Sequence, residues 1–343
     1  MSILLLDALA CKNRSRPPIW LMRQAGRYIP EYRALRQRYS FLEMCHQPEL
    51  IAEVTQMPIN KFGFDAAILF SDILLIPEAL GVGLHFDEGA GPIIDKPLRS
   101  AEDIGHLPDL NVREALSFVA EGIQILRKQL SVPLIGFCGA PFTVASYLIE
   151  GKSSRDLKET KRWLLNDPIS FHRLLDKIAE YSIEYLKMQV EAGAQALQIF
   201  DSWAQVLGSV QFEEFSLAYM KKIISALRPT PTLIFCRGSS AFASHLASAK
   251  PQGISLDWQA DITTMRSQIP SDIALQGNLD PDILYASSQT IKREVHRILV
   301  GMKGDPGFIF NLGHGIHPDT PVKAVHELIE HVKLWPHQNA SSF

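Results

Sequence analysis

Residues 191–203 read EAGAQALQIFDSW, and the change of pattern inside this stretch decides the fold. Upstream of it, Leu174, Ile178, Tyr181, Tyr185 and Met188 return at three- and four-residue steps, the spacing of one helix face. Gly193 breaks that pattern. A glycine just past a helix end can take the left-handed conformation that stops it. Ala196–Phe200 then forms a short apolar run, the signature of a strand buried on both faces. Polar Asp201 and Ser202 come at once after it. The same sequence of helix, glycine, strand and polar end recurs in KFGFDAAILFSD at 61–72 and KPQGISLDW at 250–258.

Working outward, eight strands are expected: Ile19–Met22, Ala66–Phe70, Leu134–Phe137, Ala196–Phe200, Leu233–Cys236, Ile254–Leu256, Ile273–Gln276 and Phe308–Asn311. Helical patterns lie between them at Glu49–Phe62, Val112–Leu130, Phe171–Ala192, Phe212–Leu227, Asp282–Val300 and Val322–Leu334. Strand–helix alternation predicts a parallel sheet with helices outside, and eight repeats predict an α/β fold of the (β/α)8 TIM-barrel type over residues 1–343 as one domain. A doubly wound open sheet is the competitor, but the first strand lacks a GxGxxG turn after it and no linker marks a midpoint. The Gly/Pro-rich stretch 87–99 reads as an elaborated loop.

The chain of 343 residues carries 34 Lys+Arg against 37 Asp+Glu, a net charge of −3. With 46% hydrophobic residues this is a globular composition. The balance argues against a general nucleic-acid or anionic-membrane surface and leaves room for a local basic pocket. Cys11, Cys45, Cys138 and Cys236 form no CxxC pair, and MSILLLDALACK has no basic leader, so reduced thiols in the cytoplasm are expected. The uncharged stretch from Gln129 to Ile149 has the length of a membrane span but is broken by Pro133, Gly136, Gly139 and Pro141. It reads as a strand, a turn and a helix start.

In a barrel, functional residues gather where strands end. The strand ends here carry RQAGR, SD, CGAPFT, DSW, RGSS, W, NLDP and LGHG, a set that points to a polar pocket at one end of a packed core. Arg23, Arg27, Arg33, Arg36 and Arg38 place five arginines within sixteen residues. Arg33, Arg36 and Arg38 read as the solvated face of the helix EYRALRQR. Arg23 and Arg27 flank Gly26 in a loop, where planar guanidinium forks suit a carboxylate or phosphate; no Walker-type Gly-Lys-Ser/Thr supports phosphate.

PPIWLMRQAGRYIPEYR at 17–33 resembles the first signature of uroporphyrinogen decarboxylases, and GFCGAPFTVASYLIEG at 136–151 resembles the second. FSDIL at 70–74, FDSW at 200–203, QGNLDP at 276–281 and NLGHGIHPDTP at 311–321 agree in order and spacing. The resemblance implies a single-domain barrel, commonly a homodimer, that uses no metal or organic cofactor. It implies stepwise loss of CO2 from the four acetate side chains of uroporphyrinogen, giving coproporphyrinogen for haem and related tetrapyrroles. By resemblance, Arg23 and Arg27 bind substrate carboxylates, with the backbone of Gln24, Ala25 and Gly26 between them as N–H donors. Asp72 matches the central carboxylate that accepts the pyrrole N–H groups, and Tyr147, Ser202 and His314 match substrate contacts. Protonating the ring carbon beside an acetate makes a cation that takes up the electrons of the departing CO2, and an anion facing the nitrogens stabilises it. Arg23 and Asp72 are both candidates for the proton donor, although a guanidinium is a poor acid.

On the residues alone, other readings stay open. Asp72 and Ser202 could cap helices, Tyr147 could be core, and Phe70, Phe137 and Phe142 could be cleft walls or plain core. A zinc-dependent methyltransferase on the same barrel would need a His-x-Cys pair and a distant Cys. Cys236 has Ile234 two residues before it, and the last loop offers Asn311 and Gly313; only His314 and His317 hint at a metal. A non-catalytic tetrapyrrole-binding scaffold would be expected to have lost Asp72 or one loop arginine, and all three are present.

Overall fold

A computed structural model describes residues 3–87 and 91–335. Seven parallel strands form the main sheet: β1 (Ala67–Ile68), β4 (Leu134–Gly139), β5 (Ala196–Asp201), β6 (Thr232–Cys236), β7 (Gly253–Ser255), β8 (Ala274–Leu279) and β9 (Phe308–Leu312), neighbours in that order. β2 (Leu84–Asp87) and β3 (Gly91–Ile94) pair as an antiparallel hairpin. That hairpin occupies the first part of the stretch expected as a loop; 88–90 lie outside the described residues, as do 1–2 and 336–343, the ends of the proposed single domain.

Ten helices of nine residues or more accompany the strands among the described residues: α1 (Pro30–Arg38), α2 (Pro48–Phe62), α3 (Ser117–Gln129), α4 (Pro141–Glu150), α5 (Lys158–Asn166), α6 (Pro168–Ala192), α7 (Ala218–Ala226), α8 (Ser239–Ser248), α9 (Ser288–Gly301) and α10 (Val322–Lys333). Gly63 and Gly193 stop α2 and α6 at positive φ, as their position predicts. Gly253 does not act this way: it is the first residue of β7, and a side chain there would meet Leu233. The uncharged stretch resolves into β4, a turn and α4, and no helix among the described residues is long and apolar enough to cross a membrane. The expected helix 212–227 begins in a π-helical turn over Glu213–Leu217 before α7.

The sheet is curled. Gln276 Nε2 on β8 donates to Gln198 Oε1 on β5 (3.2 Å) and to Ser255 Oγ on β7 (3.0 Å), and Trp20 Nε1 donates to Gln276 Oε1 (2.9 Å). Side chains from strands three apart meet only across a concave face, and buried amides require such partners. The expected first strand Ile19–Met22 is not one; it contributes a single parallel bridge from Ile19 to Phe310. The physical reason is local. Pro17 and Pro18 supply no N–H to a ladder, and side-chain amides replace the ladder further on: Leu21 N–H donates to Gln24 Oε1 (3.1 Å) and Met22 N–H to Asn311 Oδ1 (3.0 Å). The segment still touches both sheet edges, through Phe310 N–H to Pro18 O and Asp65 N–H to Ile19 O, each 2.9 Å.

Candidate active site

The strand ends bring Asp72, Tyr147 and His314 within electrostatic reach of Arg23. Arg23 comes just after the Ile19 segment at φ 63, an unusual backbone conformation for a non-glycine residue. Its exposed side chain runs across Gly315, where a Cβ would overlap Arg23 Cδ. Gln24 is fully buried and structural: its Nε2 donates to Ala66 O (3.2 Å), and its own N–H is already given to Leu21 O (2.9 Å). Gln24 therefore offers no backbone donor to a ligand. The N–H groups of Ala25 and Gly26 have no intramolecular acceptor among the described residues. Arg27 is exposed, and its charge acts on the buried Tyr32.

Asp72 lies just past β1, half-buried. Its Oδ1 accepts the Leu74 N–H at 2.8 Å, so the turn-capping reading holds alongside any other role. Burial pushes its carboxyl up to about 6; the Leu74 bond and the Arg23 charge oppose that, and Glu78 adds to it. Arg23 also acts on Tyr147 and His314. Tyr147 lies half-buried on α4 with its ring 5.9 Å from Trp203, and burial raises its hydroxyl. Beyond β9, His314 packs against Phe235 (5.7 Å) and Trp258 (6.3 Å); burial, then Arg23 and Arg237, drive its imidazole down to about 3. It is therefore neutral at any working pH, donating from one ring nitrogen only. Ser202 is half-buried at the end of β5.

Two groups escaped the sequence reading. Arg237 comes directly after Cys236, and because Asp201 and Cys236 are register partners it stands beside Ser202, one position beyond the paired strands. Its place in the loop RGSS was visible, but nothing marked it from other strand-end cations. Among the described residues, the guanidiniums of Arg23, Arg27 and Arg237 have no hydrogen-bond or ion-pair partner. Asp201 is fully buried, its carboxyl pushed up by burial to about 6. Arg33, by contrast, is more than a solvated helix residue: its Nη1 donates to Arg27 O (2.8 Å) and Tyr28 O (3.2 Å). Phe70, Phe137 and Phe142 are buried core. His317 bonds Asp282 Oδ1 (2.9 Å), and no cluster of three or more His, Cys, Asp or Glu suited to a metal occurs among the described residues.

This arrangement places the half-buried Asp72 carboxylate beside Arg23 at the end of a strand of the curled sheet. Residues 3–335 match the family described as Uroporphyrinogen decarboxylase (URO-D). The chain belongs to that family. It is 58% identical over 330 residues to a uroporphyrinogen decarboxylase of Protochlamydia amoebophila, covering 96% of this chain and 91% of that one. It is 46% identical over 340 residues to the uroporphyrinogen decarboxylase of Alkalilimnicola ehrlichii, covering 94% and 93%. A methyltransferase from Methanosarcina mazei shares the fold with a TM-score of 0.83 at 23% identity, over 97% of this chain and 98% of that one.

Proposed function

We propose that the chain is a uroporphyrinogen decarboxylase, a carboxy-lyase converting the four acetates of uroporphyrinogen to the methyls of coproporphyrinogen in tetrapyrrole biosynthesis. The observation that carries this reading is Asp72: a half-buried carboxylate beside Arg23, with no cation bonded to it among the described residues. The substrate presents four pyrrole N–H groups that can converge on one acceptor, and eight carboxylates that need cations. Asp72 is the acceptor; Arg23, Arg27 and Arg237, with the N–H groups of Ala25 and Gly26, form the cationic rim. Tyr147, Ser202 and neutral His314 donate hydrogen bonds to substrate carboxylates.

In each step a proton adds to the α ring carbon next to the one bearing the acetate, and the resulting cation is held by ionised Asp72 facing its nitrogen. The C–CO2 bond then breaks, its electron pair flowing into the ring. A proton added at the exocyclic carbon and one lost from the ring carbon leave a methyl and CO2.

The seven-stranded sheet, bridged edge to edge by the Pro18–Ile19 backbone, is read as a closed (β/α)8 barrel forming one domain. The enzyme is expected to be cytoplasmic, homodimeric and free of organic cofactor and metal. The deciding experiment is decarboxylation of freshly reduced uroporphyrin by purified protein, monitored as hepta- to tetracarboxylate products, with and without chelator. No product, or activity lost to chelator and restored by zinc, overturns the reading.

A further inference from the structure

The mechanism leaves Asp201 unused, although its burial is costly. Oδ1 accepts from Thr143 Oγ1 and Oδ2 from Ser216 Oγ, both at 2.5 Å, and among the described residues no cation bonds the carboxylate. A buried carboxylate without a cation loses more solvation than two hydroxyls return, and its raised carboxyl reflects that cost. The hydroxyl of Thr143 donates to Asp201 and so turns its lone pairs to the Trp203 N–H, which it accepts at 3.1 Å. Thr143 lies one helical turn before Tyr147 on α4, and Trp203 is the residue whose ring meets Tyr147. Ser202 is held between Asp201 and Trp203. Ser216 arrives from the π-helical turn Glu213–Leu217, where Phe215, Ser216 and Leu217 are all buried in succession. Single π turns inside α-helices recur at functional sites, and this one delivers a hydroxyl to Asp201.

We propose that Asp201 is a positioning residue, a carboxylate clamp beneath the cleft that joins α4, the 202–203 loop and the π turn so that Tyr147 and Ser202 face the substrate. This rests on the functional reading above for its consequence in turnover, but not for its structural arm. Asp201→Asn keeps the volume, yet offers one acceptor where two hydroxyls now donate. Expected are an unchanged or higher Tm at pH 8, faster amide hydrogen exchange confined to 202–207, and kcat/KM lower by on the order of tenfold or more, mainly through KM. Thr143→Val should reproduce the faster exchange and raised KM, and Thr143→Ser should restore both. Wild-type kinetics with unchanged exchange in Asp201→Asn overturns the proposal, as does a lowered Tm with exchange raised throughout the molecule. If wild type itself forms no product, the functional reading fails while exchange at 202–207 still decides whether Asp201 clamps the loop.

Discussion

At the residue scale, environment divides the titratable groups by task. Asp72 near 6 changes charge inside the working range, whereas His314 near 3 does not. If pyrrole N–H groups require ionised Asp72, kcat/KM should climb as pH rises through about 6, since this profile reports the free enzyme. Asp201 is held near the same value, so Asp201→Asn is the control and should keep that limb. Asp72→Asn should lack it and lose on the order of 10²–10³ in kcat, with Asp72→Glu between. The stability sign is opposite. An acid whose carboxyl is raised on folding binds its proton more tightly folded than unfolded, so stability falls as pH rises through about 6. Asp72→Asn should therefore be at least as stable as wild type at pH 8. A well-folded Asn variant with wild-type turnover would remove Asp72 from the chemistry. Asp72 itself was legible from FSDIL; its half-burial, which sets its acidity, was not, because burial depends on which distant strands surround a side chain.

At the element scale, loops are shaped by residues that do no chemistry. Arg33 on α1 grips the carbonyls of Arg27 and Tyr28, so Arg33→Ala should raise KM several-fold by loosening the loop that carries Arg27. The exposed Arg38, stacked on Tyr39, should tolerate Ala. Equal KM values would mean that Arg33 holds nothing. The charge spacing on EYRALRQR reveals a helix face; it cannot reveal a carbonyl that the preceding loop folds back into reach. The glycines after β9 behave in the same way. A Cβ at Gly313 would overlap the Asp257–Trp258 backbone, which cannot swing aside, whereas at Gly315 it would meet the Arg23 side chain. Gly313→Ala should cost about 1–3 kcal/mol in denaturant unfolding as overpacking. Gly315→Ala should leave stability nearly intact and raise KM by displacing Arg23. Reversed effects would contradict these contacts. LGHG announced a tight approach, but not which glycine serves the fold and which the site.

For the whole molecule, alternation of pattern located seven of the eight expected strands to within a residue or a few, because each is a short apolar run buried on both faces. The eighth failed because Gln24 and Asn311 side chains take over the backbone pairing there, a substitution that apolar pattern does not register. What ties this segment to the sheet is Asp65. Its carboxylate receives Arg16 through both Nη atoms (2.7 and 2.8 Å) and the Ile19 N–H (2.8 Å), while its own N–H donates to Ile19 O. Both partners are largely buried, with side-chain exposures of 15% and 7%. Removing one member of such a pair strands the other, at a cost of about 3–5 kcal/mol. Asp65→Ala should lose on that order, and Asp65→Asn less, since its amide oxygen can still accept from Ile19. The form of unfolding matters as much as its size. If the Ile19 segment closes the sheet, its loss weakens every strand together, and denaturation should stay a single transition shifted to lower denaturant. Far-UV circular dichroism and hydrogen exchange across β1 to β9 would then move together. An early separate transition confined to residues before β1 would show that the sheet stands without its seam and that the curled half carries the fold alone.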